Sequence, residues 1–185
     1  MVKSWVITGV CLIGAGVLCC TAAIGAGALN QQRYREKLHL TDQTDAPSEN
    51  FTAIQVALED ADLTVQAGDS VSVEAENVSA DCYDVTVRDG VLRIEQRSNS
   101  LNRYTLIHLG EFSLPTAKIT LTLPEENYKS MDISASYGDC TVDGISAQTF
   151  SANLDCGDGT FQNISTENYT AKSSYGDLQL SDSEV

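Results

Sequence analysis

The sequence predicts an all-β protein, a β-helix-like solenoid of stacked 19-residue rungs preceded by one N-terminal transmembrane helix. Three observations predict it. Gly-Asp pairs recur at Gly138-Asp139, Gly157-Asp158 and Gly176-Asp177, a step of 19 residues both times. Apolar residues alternate at a spacing of two on either side of each pair, as strands require. From Trp5 to Leu29 no residue is charged.

The apolar run comes first in the chain. Residues 1–4 form a short flank and residues 5–29 the anchor. A helix of this length spans about 37 Å, against a hydrocarbon core of about 30 Å. A secretory signal peptide is the rival reading, because Ala26-Gly27-Ala28 fits a small-x-small cleavage site. The apolar part of a signal peptide normally runs only about 7–15 residues, which favours a retained anchor. Leu18 stands before Cys19 where a bacterial lipobox would have a small residue, so lipidation is discounted. Orientation is weakly marked. Lys3 lies on one side and Arg33, Arg35 and Lys37 on the other, with Glu36 opposing them.

Residues 30–50 are polar, include Pro47, and read as a linker. The domain follows at 51–185. Leu63, Val65 and Ala67 alternate before Gly68-Asp69, and Val71, Val73 and Ala75 after it, so an opening strand pair is expected. Asp89-Gly90 between Val85-Val87 and Leu92-Ile94 predicts a two-residue hairpin turn. Residues 96–118 are irregular and read as a long excursion. Ile119, Leu121 and Leu123 then form a strand ended by Pro124.

The repeats occupy 128–146, 147–165 and 166–184 without a gap. Their apolar columns are Met131/Phe150/Tyr169, Ile133/Ala152/Ala171, Ala135/Leu154/Ser173, Tyr137/Cys156/Tyr175 and Val142/Phe161/Leu180. Gly138, Gly157 and Gly176 read as corners, because glycine reaches backbone angles closed to other residues. Asp139, Asp158 and Asp177 then form a ladder of carboxylates about 4.8 Å apart. The plain reading is a structural turn ladder satisfied by backbone amides and water. The alternative is a calcium site, since hard cations favour clustered carboxylate oxygens. The calcium-binding nonapeptide with its double glycine is absent, and no cofactor is expected.

Four of the 11 basic residues and one of the 26 acidic ones precede Leu38, which leaves 7 against 25 and a domain charge of −18. Binding to nucleic-acid phosphates is excluded on that ground. Cys82, Cys140 and Cys156 are an odd number, so no closed disulfide framework follows. His39 falls in the linker and His108 in an apolar run. No Cys/His metal spacing, phosphate loop or nucleophile elbow is present.

The stretch LTVQAGDSVSVEA, the strand-and-proline unit KITLTLPEE and the SYGD, DCGD and SYGD turns together resemble the bacterial "putative adhesin" family of β-strand repeats, the toastrack domain. The resemblance covers roughly 51–185. It implies a right-handed, single-stranded β-helix-like fold and a membrane-tethered envelope protein, with the domain outside the cytoplasm. It implies no catalytic residues.

A non-catalytic binding or scaffold module at the cell envelope is therefore expected, held in the membrane by its helix, with an envelope protein or glycan as partner. A sensory or accessory partner of an envelope-stress signalling complex is the second reading. A polysaccharide-active enzyme is the third. It would need paired carboxylates in a cleft, and Asp139, Asp155 and Asp158 are the one cluster to supply them.

Overall fold

The computed structural model describes residues 2–25, 35–36, 39–97 and 116–184. Helix α1 (Val2–Gly25) opens it. Among the described residues no helix is long and apolar enough to cross a membrane. The side chains of residues 2–7, 10 and 11, and all of residues 26–34, lie outside that description. The span expected over 5–29 is thus helical as far as Gly25, and a membrane crossing is not among the findings.

The strands are β1 (Leu40–Asp45), β2 (Ala53–Ala67), β3 (Ser72–Ser79), β4 (Tyr83–Arg88), β5 (Val91–Gln96), β6 (Ala117–Leu123) and β7 (Asn127–Tyr137). They continue as β8 (Cys140–Asp143), β9 (Ser146–Cys156), β10 (Gly159–Gln162), β11 (Ser165–Tyr175) and β12 (Leu178–Ser181).

Each repeat contributes one long and one short strand. The long strands β7, β9 and β11 pair in parallel, and so do the short strands β8, β10 and β12. Partners lie 19 residues apart, as for Ile133 beside Ala152 and Phe161 beside Leu180. The stacked solenoid expected from the Gly-Asp step is therefore present.

Both ladders continue onto β2, at an offset of 77 residues. Ala53 lies beside Ser130 in one ladder and Leu63 beside Cys140 in the other. A single 15-residue strand thus serves as the first rung for both sides. Across its other edge, β5 meets its first half and β6 its second. The chain begins its stack in the middle, leaves to build the far end, and returns.

That far end differs from the repeats. β3 pairs antiparallel with β6, β1 antiparallel with β3, and β4 antiparallel with β5. Two expectations are corrected here. The strands around Gly68-Asp69 are not partners, because β6 lies between β2 and β3. The segment 30–50 is not linker throughout, since Leu40–Asp45 forms edge strand β1. The polar composition of β1 suits an edge, where one face needs no burial. The Asp89-Gly90 turn is as expected, with φ of 53° and 73° joining β4 to β5. The excursion over 98–115, including His108 and Phe112, lies outside the described residues.

The core fills the space between the two ladders. Ile54, Val56, Met131, Phe150 and Leu154 come from one side; Leu63, Val65, Leu121, Val142 and Phe161 come from the other. Phe150 and Phe161 meet edge to face with centroids 5.4 Å apart. Each fully buried large side chain of this kind contributes about 1.5–3 kcal/mol over exposure.

Candidate functional site

The site that repeats most regularly is the corner. Gly138, Gly157 and Gly176 have φ of 134°, 138° and 150°. A Cβ at Gly138 would lie 2.3 Å from the Ala61 carbonyl oxygen, and one at Gly157 would lie 2.1 Å from that of Gly138. Rung-to-rung contact at the corner is backbone against backbone, which only glycine permits.

The following aspartate locks that contact. The amide of Asp158 donates to Asp139 Oδ1 at 2.9 Å, and the amide of Asp177 to Asp158 Oδ1 at 2.9 Å. The amide of Asp139 in turn donates to Asp62 Oδ1 at 3.1 Å. The ladder thus has four carboxylates, the first of which lacks the Gly-Asp signature. In each of the three contacts one oxygen bonds the next rung's amide. Among the described residues no group of three or more His, Cys, Asp or Glu side chains stands in a position to hold a metal ion.

Beyond β2 the ladder ends on Gln96, buried in the far corner. Its Oε1 accepts the amides of Glu59 and Asp60, each at 3.1 Å, and its Nε2 donates to the Asp60 carboxylate and the Arg97 carbonyl. Sequence reasoning missed both Asp62 and Gln96. Asp62 was findable, because residues 51–69 match 128–146 in their apolar columns (Ile54 with Met131, Val56 with Ile133, Val65 with Val142). Gln96 carries no such signal, since its partners are backbone amides brought close by folding.

One column is corrected. Tyr137 and Tyr175 are 64% and 77% exposed, and Cys156 between them is half-buried, so this is not a core column. Alternation from Ala135 would point Tyr137 inward, but the chain turns there into the corner. Cys140 is the buried cysteine, and burial pushes its thiol up to about 12.

Asp155 lies on the outer side of β9, one residue before the corner, apart from the aligned Asp139 and Asp158. The hollows are shallow and open. One of about 330 Å³ lies between residues 45–49 and the outer edge of β4, lined by Asp45, Glu49, Val85, Val87 and Arg88. Another of about 360 Å³ follows the opposite corner along Asn127, Ser146, Ser165 and Glu184. Beside the first, Tyr83 is buried, and desolvation followed by the Asp45 carboxylate pushes its phenol well above its ordinary range.

A stack of two-strand rungs, locked at one corner by glycine and carboxylate and closed at one end by antiparallel strands, defines a β-solenoid domain. The particular family follows from comparison: residues 51–185 match the model of Toastrack DUF4097, and the chain belongs to that family. Among solved structures it is similar to a "putative cell adhesion protein" of Clostridium sporogenes, at 10% identity, with 77% of this chain and 99% of that one covered and a TM-score of 0.47. A "putative adhesin" of Bacteroides fragilis is 10% identical over 78% of this chain and 93% of its own, with a TM-score of 0.38. A "putative lipid binding protein" of Parabacteroides distasonis is 14% identical over 76% and 63%, with a TM-score of 0.32. No curated protein matches.

Proposed function

We propose that the chain is a non-catalytic binding or scaffold module of the cell envelope, tethered by its N-terminal helix with the β domain outside the cytoplasm. The observation that supports it most is the uniform outer surface of the long-strand ladder. Columns such as Asp132/Ser151/Thr170 and Ser134/Asn153/Lys172 stand in register with no loop inserted between the rungs. Such a surface offers an extended array of polar contacts, as solenoid faces do for partners. Tethering is supported by the uncharged run 5–29, helical as far as Gly25. The acidity keeps the domain off anionic lipid and nucleic acid.

Protease added to intact cells tests this. Loss of the β domain, with the N-terminal segment left in the membrane fraction, is the expected result. Complete protection behind an intact barrier, or release of the whole chain without detergent, overturns it.

A further inference from the structure

The two ends of the solenoid are built differently. At the end formed by β5 and β6, the parallel stack is closed by antiparallel β4 and β3 and by the buried Gln96. At the other end, β11 pairs only with β9 and β12 only with β10 among the described residues. The outer edges of both strands are left as they stand between rungs everywhere else.

What such an edge accepts can be stated atom by atom, because the same contact is made repeatedly inside the molecule. The amide of Gly138 donates to the Cys156 carbonyl at 3.1 Å, and that of Gly157 to the Tyr175 carbonyl at 3.0 Å. The amide of Cys140 donates to the Asp158 carbonyl at 2.8 Å, and that of Gly159 to the Asp177 carbonyl at 2.8 Å. Between these, each corner carboxylate takes the amide of the following aspartate. Carried one step further, Gly176 and Leu178 present amides and Asp177 presents a carboxylate oxygen, all facing away from the stack. Beside them Leu178 and Leu180 are 39% and 46% exposed, and Tyr169, stacked on Phe150 at 5.4 Å, is only half-buried.

We infer that this end is a strand-addition site, taking a parallel extended segment of a partner protein with glycine at the corner and basic flanks. This rests on reading the domain as a binding module and names its interaction surface. The glycine is required because a Cβ in that position would run into the Gly176 carbonyl, as one at Gly176 would lie 2.1 Å from that of Gly157. The residue after it donates its amide to Asp177 and offers its carbonyl to Leu178. Apolar side chains on the segment's inner face cover Leu178, Leu180 and Tyr169. Basic flanks follow from charge, since the last rung bears Glu167, Asp177, Asp182 and Glu184 against Lys172 alone. Main-chain bonding supplies affinity in this mode, and side chains supply selectivity. A second copy of this chain is the poorer occupant, because its like-charged last rung repels and its other end is closed by antiparallel strands.

The test uses the full chain in detergent micelles and a labelled peptide, with binding followed by fluorescence anisotropy. The peptide has the sequence Tyr169–Leu180 with Thr170→Lys, Ser174→Lys and Asp177→Lys. Saturable binding is expected, weakened at least about tenfold when the peptide also carries Gly176→Ala, and abolished by scrambling its order. In the protein, Leu178→Lys, at an exposed position, should abolish binding while leaving the thermal transition in place. Equal binding by the glycine, alanine and scrambled peptides overturns the inference, because charge alone would explain it. So does absence of binding, or self-association without peptide that Leu178→Lys dissolves, which would assign the face to a second copy. Any of these outcomes leaves the envelope reading to the protease experiment, which does not depend on them.

Discussion

Asp62 accepts the backbone amide of Asp139 across 77 residues of chain, in the same way that Asp139 accepts Asp158 and Asp158 accepts Asp177. Each carboxylate is thus a bracket between its own rung and the next. Asp139→Ala and Asp158→Ala should each cost about 1 kcal/mol, the net worth of one such hydrogen bond. Asp158→Asn keeps the acceptor oxygen and removes one charge from the column, so it should cost less. Asp177→Ala should stay within about 0.5 kcal/mol, because among the described residues no rung hangs from it. Denaturant midpoints for the four variants check the ordering.

The corner glycines should be far less tolerant. Gly157→Ala combines a φ of 138° with a Cβ placed 2.1 Å from the Gly138 carbonyl oxygen. A loss of about 3 kcal/mol or more is expected, from backbone strain and forced separation of two rungs. Gly90→Ala is the internal control. It has φ of 73° but nothing within 4 Å of the added carbon, so only the left-handed conformation is penalised, at about 1–2 kcal/mol. Equal losses in the two variants would refute the corner account.

Gln96→Leu removes the acceptor that serves the amides of Glu59 and Asp60. A loss of about 2–3 kcal/mol is expected, because deleting one partner of a buried polar pair costs more than the pair is worth. Faster hydrogen exchange at those two amides, with the Asp158 amide unaffected, would place the damage at this corner.

Alkaline stability should follow Cys140. Its folded thiol is raised by burial to about 12 from an ordinary 9.0. A raised acid keeps its proton in the folded state after the unfolded chain has released it, so stability is whole below pH 9 and falls between 9 and about 12. Tyr128, raised to about 12 from 10.0 chiefly by burial and then by Glu126, acts in the same direction from pH 10. Cys140→Ala should flatten the first part of that decline in pH-dependent melting. At the acid end, the Asn77 amide and the Arg35 guanidinium hold Asp42 below 3.8. That support is present above 3.8 and is lost as pH falls through the lowered value. Asp42 is exposed, so the effect on the β1 edge should be small.

The stacking was legible in the sequence where each rung repeats its own corner. The 19-residue columns gave strand, turn and register together, because side-chain period and corner glycine act locally. β2 was harder to place, since Ala61-Asp62 makes the corner contact without glycine and its match lies 77 residues away. The pairing of β3 with β6 was not legible, since a Gly-Asp turn reads alike whether the strands beside it pair or diverge. Tyr137 shows the limit of alternation: a period of two holds along a strand and fails at the residue where the strand ends. Cys140 follows that residue and is buried, although nothing in its own repeat distinguishes it from Cys156.

A unit that meets its predecessor and its successor through the same surface can be copied. Inserting or removing 19 residues between equivalent corners leaves every remaining contact with an equivalent partner, and changes the length of the stack by about 4.8 Å. Reach thereby becomes a heritable variable independent of fold. Such a chain can be lengthened by tandem duplication in a single genetic event, without redesign of its core.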